Sequence, residues 1–322
     1  MKIKIVVTFD ISENREKQLA NLIDGTADVT FLTSLEENEK RPALSSADVL
    51  FTWNPNSELK NFPEDLLKNL KFVQLLSAGY DHLDFSYFPA DCIIAANQGA
   101  YAEPMAEHTV AMIAALSKKL FVNHHKMTEG EFPQLDRTRS LKGSVCGIIG
   151  FGSIGKASAK LLKPFGVKIW GINTTGETEE DIEFIGTLED LDQVLKNSDS
   201  LIISIPLNDK TRGLIGKREL DLMKNEAILI NVARGPVIKE KDFYEHLKSH
   251  PDFFAGIDAW WSEPLTTGKF ETNYPFFELP NLIGSPHNSA VVPGSLWAGA
   301  ELAADNVLNF IRGNKVNGII SR

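Results

Sequence analysis

Val145-Cys146-Gly147-Ile148-Ile149-Gly150-Phe151-Gly152-Ser153-Ile154-Gly155-Lys156 decides the fold, because a β-branched run passes into G-x-G-x-x-G and then directly into a helical pattern. Ala157, Leu161 and Leu162 carry that helical periodicity over 156–163. In such a unit Gly150 permits the tight turn, Gly152 lets the backbone close on a pyrophosphate, and Gly155 lets helix touch strand. The helix N-terminus adds amide donors and a positive dipole end. Gly150, Phe151, Gly152, Ser153, Ile154 and Gly155 are therefore the expected dinucleotide loop, with a purely structural turn as the alternative.

The strand after this helix ends where a carboxylate usually grips the adenosine ribose, roughly 20 residues beyond the loop. Here Asn173 holds that place, followed by Thr174 and Thr175. An amide bonds a hydroxyl without repelling a 2′-phosphate, and no Arg stands beside it to claim one. The expected cofactor is NAD(P), with a slight tilt towards NADP.

Working outward, 322 residues with 43% hydrophobic and 24% charged side chains suffice for roughly two domains. The net charge of -10 opposes nucleic-acid and anionic membrane partners, and no Lys/Arg run reverses it locally. The apolar run over 1–7 is too short for a signal-peptide core, and no stretch is long and apolar enough to span a bilayer, so a cytoplasmic protein is expected. Cys92 and Cys146 lack metal-ligand spacing and read as buried thiols; no metal is expected.

Short β-branched runs alternate with amphipathic stretches, the pattern of a parallel sheet covered on both faces. The spacing predicts a first α/β sheet from strands at 3–9, 29–32, 49–53, 72–76 and 93–95. A helix over 106–118 crosses to a second sheet, with strands at 144–149, 168–172, 200–205, 227–231, 254–257 and 282–285. The late helix over 294–312 follows the second sheet and is expected back on the first domain. The expected domains are 1–97 with 288–322, and 98–287: a Rossmann-type cofactor domain inserted into a discontinuous, flavodoxin-like substrate domain.

Open α/β sheets place ligands at the carboxyl ends of their strands, where three further features fall. Asn231-Val232-Ala233-Arg234-Gly235 puts a guanidinium after a buried strand, suited to clamping a carboxylate. Asp258-Ala259-Trp260-Trp261-Ser262-Glu263-Pro264 ends the next with two carboxylates. Ser285-Pro286-His287-Asn288 ends the last with a histidine, whose alternative is a structural side chain.

These features, in this order, resemble the D-isomer-specific 2-hydroxyacid dehydrogenases along essentially the whole chain. Ser77-Ala78-Gly79-Tyr80-Asp81-His82-Leu83-Asp84 and Met105-Ala106-Glu107-His108 match further signatures of that family. The resemblance implies NAD(P)-dependent, reversible reduction of a small 2-oxo acid to the D-2-hydroxy acid, of the glyoxylate or hydroxypyruvate type. It implies His287 as general acid/base, Glu263 as the carboxylate that fixes its ring, and Arg234 as the clamp for the substrate carboxylate. The amides of Ala78 and Gly79 would bind that carboxylate from the other domain, and closure would complete the site. Tyr101 is a substrate-side tyrosine or a packing residue. Asp258 would touch the nicotinamide carboxamide or cap the next turn. Pro206 and Ala233 would line the cofactor. Trp260, Trp261 and Trp297 stay unassigned.

Glu263 argues against a formate dehydrogenase, whose relatives carry glutamine there. The chain is expected to lack a regulatory domain after Arg322, leaving a short phosphoglycerate dehydrogenase open. A dinucleotide-sensing regulatory protein of the same fold is the alternative of a different class. Homodimerisation around the crossing helix is expected by family analogy.

Overall fold

The computed structural model describes residues 2–23 and 25–320; the expected outer limits of the first domain, 1 and 322, lie outside them. Two compact units are present, residues 1–101 with 293–322 and residues 102–292. The expected breaks at 97/98 and 287/288 fall a few residues from these.

The first unit holds β1 (Ile3–Val7), β2 (Ala27–Phe31), β3 (Val49–Thr52), β4 (Phe72–Leu75) and β5 (Ile93–Ala95). Their order is β2-β1-β3-β4-β5, with all four strand pairs parallel. That is the expected flavodoxin-like winding, and the parallel pairing is what the alternating pattern predicted. One face is covered by the helices Glu13–Ile23 and Ser295–Ile311, where Leu19, Ile23, Ala300, Ala303 and Val307 join Ile5, Val7, Val49, Phe51 and Phe72 in one core. The alanines of the late helix present small side chains to a crowded sheet. Residues 318–320 then run along β5: Ala96 N donates to Gly318 O at 2.9 Å, Ile320 N donates to Ile94 O at 2.9 Å, and Ala95 bridges Ile319 antiparallel.

The second unit holds β6 (Val145–Ile149), β7 (Lys168–Ile172), β8 (Phe184–Gly186), β9 (Ser200–Ile203), β10 (Ile228–Asn231), β11 (Phe254–Ile257) and β12 (Leu282–Gly284), ordered β12-β11-β10-β9-β6-β7-β8 and parallel throughout. Neighbouring residues alternate between two buried faces: Ile149, Ile203 and Leu229 pack with Phe243 and Phe276, whereas Ile148, Ile202 and Ile230 pack with Met112 and Ile113 of the crossing helix Ala102–Ser117. Burial on both faces explains why these strands read as continuous apolar runs. The order reverses between β6 and β9, so their carboxyl ends form the switch point of a doubly wound sheet. No described helix is long and apolar enough to cross a membrane.

Strand β8 was not expected. It is three residues long and pairs only with β7, at the sheet edge, after an acidic loop that holds no helix.

Candidate active site

At the switch point the chain leaves β6 through Gly150, whose φ is +100°. A Cβ there would lie 2.7 Å from the Ser204 carbonyl carbon after β9, and Ser204 Oγ donates to Gly150 O at 3.0 Å. At Gly155, on the first turn of the helix Ser153–Leu162, a Cβ would lie 2.5 Å from Gly150 O. Both glycines are required by the loop's own packing. Gly152 is different. Its φ is −98° and nothing lies within 4 Å of where its Cβ would project, so the bareness serves space outside the loop. An open approach to a helix N-terminus fits a pyrophosphate.

Ser153 is exposed on the first turn, and Ile154 packs on Ala102, Ala106 and Ala157. Phe151 is buried. Its ring is 2% exposed against Gly171, and its N–H donates to Ile172 O at 2.7 Å, so it pins the loop to β7.

Asn173 follows β7, and its side chain folds into its own loop. Oδ1 accepts from Thr175 N at 3.0 Å and Gly176 N at 2.7 Å, while Nδ2 donates to Glu177 O at 2.8 Å. This Asx turn leaves Thr174 and Thr175 exposed beside it. Pro206 is exposed after β9, its carbonyl taken by Thr211 Oγ1 at 2.7 Å.

The ends of β10, β11 and β12 bring the expected chemistry together. His287 Nδ1 lies 2.7 Å from Glu263 Oε2, and Glu263 Oε1 accepts from Trp260 N at 2.7 Å. The carboxylate therefore orients the imidazole while itself held by backbone. With Nδ1 engaged, Nε2 of a ring about one-third exposed is left for an outside partner. His287 adopts φ +51°, uncommon for a residue with a Cβ. Arg234 is extended and half-buried, with Nη1 donating to Ala233 O at 2.7 Å. Beside it a Cβ on Gly235 would lie 2.2 Å from the Trp260 carbonyl carbon, so only glycine lets the β10 loop meet the β11 loop.

Two residues expected at the cofactor have other partners. Ala233 is 6% exposed, in the core, and its N–H donates to Asn231 Oδ1 at 3.0 Å. Asp258 is completely buried: Oδ1 accepts from Ser285 Oγ at 2.6 Å and Asn288 N at 3.1 Å, and Oδ2 from Ser289 N at 3.2 Å. Burial alone would push its carboxyl up. The bonds from Ser285 and Ser289, with the imidazoles of His287 and His108 nearby, outweigh that and hold it below the usual carboxylate range. These bonds are the turn-capping arrangement.

In the first unit Ala78 and Gly79 are half-buried in a loop tied by Ser77 Oγ to Gly79 O at 2.9 Å. Tyr101 takes the packing arrangement: its hydroxyl donates to Leu76 O at 2.9 Å and lies against Gly299, and burial pushes the phenol up. Trp260 and Trp261 are aromatic core, stacked on Phe277 and Phe276 at 5.2 Å each. Trp297 lies under the Arg15 guanidinium at 4.2 Å.

Sequence reasoning missed the part played by Ser285, and it met His108 only as part of a family signature. His108 Nε2 lies 3.0 Å from Ser285 Oγ. Nothing in the local sequence marks that link, because the two residues are 177 apart.

Residues 110–289 match the model of the D-isomer specific 2-hydroxyacid dehydrogenase, NAD binding domain. A glyoxylate reductase of Thermofilum pendens is 31% identical over 80% of this chain and 77% of its own. A D-3-phosphoglycerate dehydrogenase of Methanocaldococcus jannaschii is 28% identical over 99% of this chain, which spans 59% of that relative's length. In fold, the chain superposes with a TM-score of 0.81 on a probable 2-hydroxyacid dehydrogenase of Rhizobium etli in complex with NADP, at 20% identity, covering 100% and 98% of the two chains.

Proposed function

Given that the chain belongs to the D-isomer specific 2-hydroxyacid dehydrogenases, NAD(P)-dependent oxidoreductases, we propose that it reduces a small 2-oxo acid of the glyoxylate or hydroxypyruvate type to the D-2-hydroxy acid. The observation that carries this reading is the His287–Glu263 pair, 2.7 Å apart and held by backbone at the carboxyl end of the sheet.

Gly150, Gly152, Gly155 and the N-terminus of the helix Ser153–Leu162 hold the dinucleotide's pyrophosphate, with Thr174, Thr175 and Pro206 towards its adenosine end. Bound there, the dinucleotide supplies the hydride that adds to C2 of the 2-oxo acid. Negative charge then grows on the carbonyl oxygen, and His287 Nε2 gives it a proton. Glu263 keeps Nδ1–H and balances the imidazolium before transfer. Arg234 clamps the substrate carboxylate and stabilises the oxyanion. Asn173, which carries no charge against a 2′-phosphate, supports acceptance of NADPH.

Leu120, Phe121, Met127, Phe132 and Leu135 are each 53% to 93% exposed just after the crossing helix, and to this segment we assign a homodimer contact.

The test is oxidation of NADPH and NADH with glyoxylate, hydroxypyruvate, pyruvate and 3-phosphohydroxypyruvate. Turnover with one of the first three, abolished in His287→Ala, is expected. Turnover with the phosphorylated acid alone favours a phosphoglycerate dehydrogenase, and no turnover with any of them overturns the reading.

A further inference from the structure

We propose that His108, on the crossing helix, is a positioning residue for His287 and acts through Ser285 and Asp258. The inference rests on His287 as the acid of the reduction proposed above.

Its direction follows from counting protons. Ser285 Oγ carries one, and the Asp258 carboxylate 2.6 Å away is an acceptor only, so that proton points to Asp258. Ser285 Oγ must then accept at its other contact, 3.0 Å from His108 Nε2, which places the proton of His108 on Nε2. The chain runs from imidazole N–H through hydroxyl to buried carboxylate.

Asp258 gathers residues 285, 288 and 289 around itself through the Ser285 hydroxyl and the Asn288 and Ser289 amides. Ser285 is further held by its own N–H on Ile257 O at 2.9 Å and by Trp260 Nε1 on its carbonyl at 2.8 Å. Only Pro286 and His287 lie between these fixed points, and His287 is held left-handed at φ +51°. Such a conformation persists only where its surroundings impose it. Without the His108 donor the Ser285 hydroxyl still donates to Asp258 but is held from one side only, so the 285–289 turn loosens and His287 shifts against Glu263.

His108→Ala, Ser285→Ala, the double variant and His108→Gln are compared with the parent in kcat, KM for the 2-oxo acid and dinucleotide Kd. Each alanine variant should lower kcat about tenfold with KM and Kd within about twofold, the double variant should be no worse than either single one, and His108→Gln, which restores an N–H donor, should recover most of the rate. In the free protein, the His287 Hε1 proton resonance, identified by its loss in His287→Ala, should move in the alanine variants and return in His108→Gln. Unchanged kcat with an unmoved His287 resonance in folded variants assigns His108 to packing and overturns the proposal. If the parent turns over no 2-oxo acid, the functional reading fails, and the resonance alone decides: a shift upholds the coupling and no shift overturns it.

Discussion

Replacing Gly152 by Ala separates what the phosphate loop needs for folding from what it needs for a ligand. The added methyl meets no atom within 4 Å, and φ of −98° is open to any residue. Two small effects on stability oppose each other. Loss of unfolded-chain freedom stabilises by about 0.4–1 kcal/mol. Alanine at a helix N-cap, the place Gly152 holds, costs a few tenths to about 1 kcal/mol against glycine. The net is near zero, so Tm should move by less than about 2 °C. Binding should change far more. The methyl stands in the approach to the helix N-terminus and costs an amide-to-phosphate hydrogen bond, about 1.5–3 kcal/mol, or roughly 10- to 150-fold in dinucleotide Kd. Gly155→Ala is the control. Its Cβ would lie 2.5 Å from Gly150 O, so strain of about 1–3 kcal/mol should lower Tm and affinity together. Thermal unfolding by circular dichroism and calorimetric titration with NADPH and NADH measure both. A Gly152→Ala protein that binds either dinucleotide as tightly as the parent refutes the assignment of that space to a ligand.

Asn173→Asp puts a carboxylate beside the proposed ribose site and replaces the donor to Glu177 O with a repulsion; the ratio of kcat/KM for NADPH to that for NADH should fall at least about tenfold, and an unchanged ratio removes Asn173 from cofactor choice. His246 is 8% exposed and stacked on His250, and burial first, then that neighbour, lowers its pKa from 6.5 to about 4. Folded His246 is thus neutral where the unfolded chain charges it. Its contribution, on the order of 2 kcal/mol, is complete above about pH 6.5 and lost as pH falls from there towards 4. Urea unfolding at pH 7.5 and 5 should show a smaller pH difference in His246→Phe than in the parent; equal differences exclude His246 as the cause.

The order of βα units was legible because strands buried on both faces cannot hide their apolar runs, and β5, β7 and β11 fall on the expected residues. Strand β8 was not, since Phe184-Ile185-Gly186 gains its identity from pairing with Trp170 to Ile172 rather than from its own pattern. At the site, spacing and strand ends brought out Arg234, Glu263 and His287, whose chemistry is local to each loop. The buried partners of Asp258 and the packing of Tyr101 and Phe151 depend on residues distant in sequence or on an adjacent strand. A motif specifies a residue's type, whereas the direction in which its polar atoms point is settled by those neighbours.

The strip at 318–320 and the late helix impose an order of manufacture. Residues 102–292 are continuous and hold every strand of their own sheet, whereas the sheet begun by residues 3–7 awaits its last pieces. At about 5–20 residues per second, synthesis of residues 293–320 takes roughly 1–6 s. Throughout that interval the edge of β5 at Ile94 to Ala96 and the face destined for Ala300, Ala303 and Val307 stand uncovered. A chain halted there has every strand of one unit but leaves the other sheet with an open, adhesive edge and face, the kind of surface that chaperones shield.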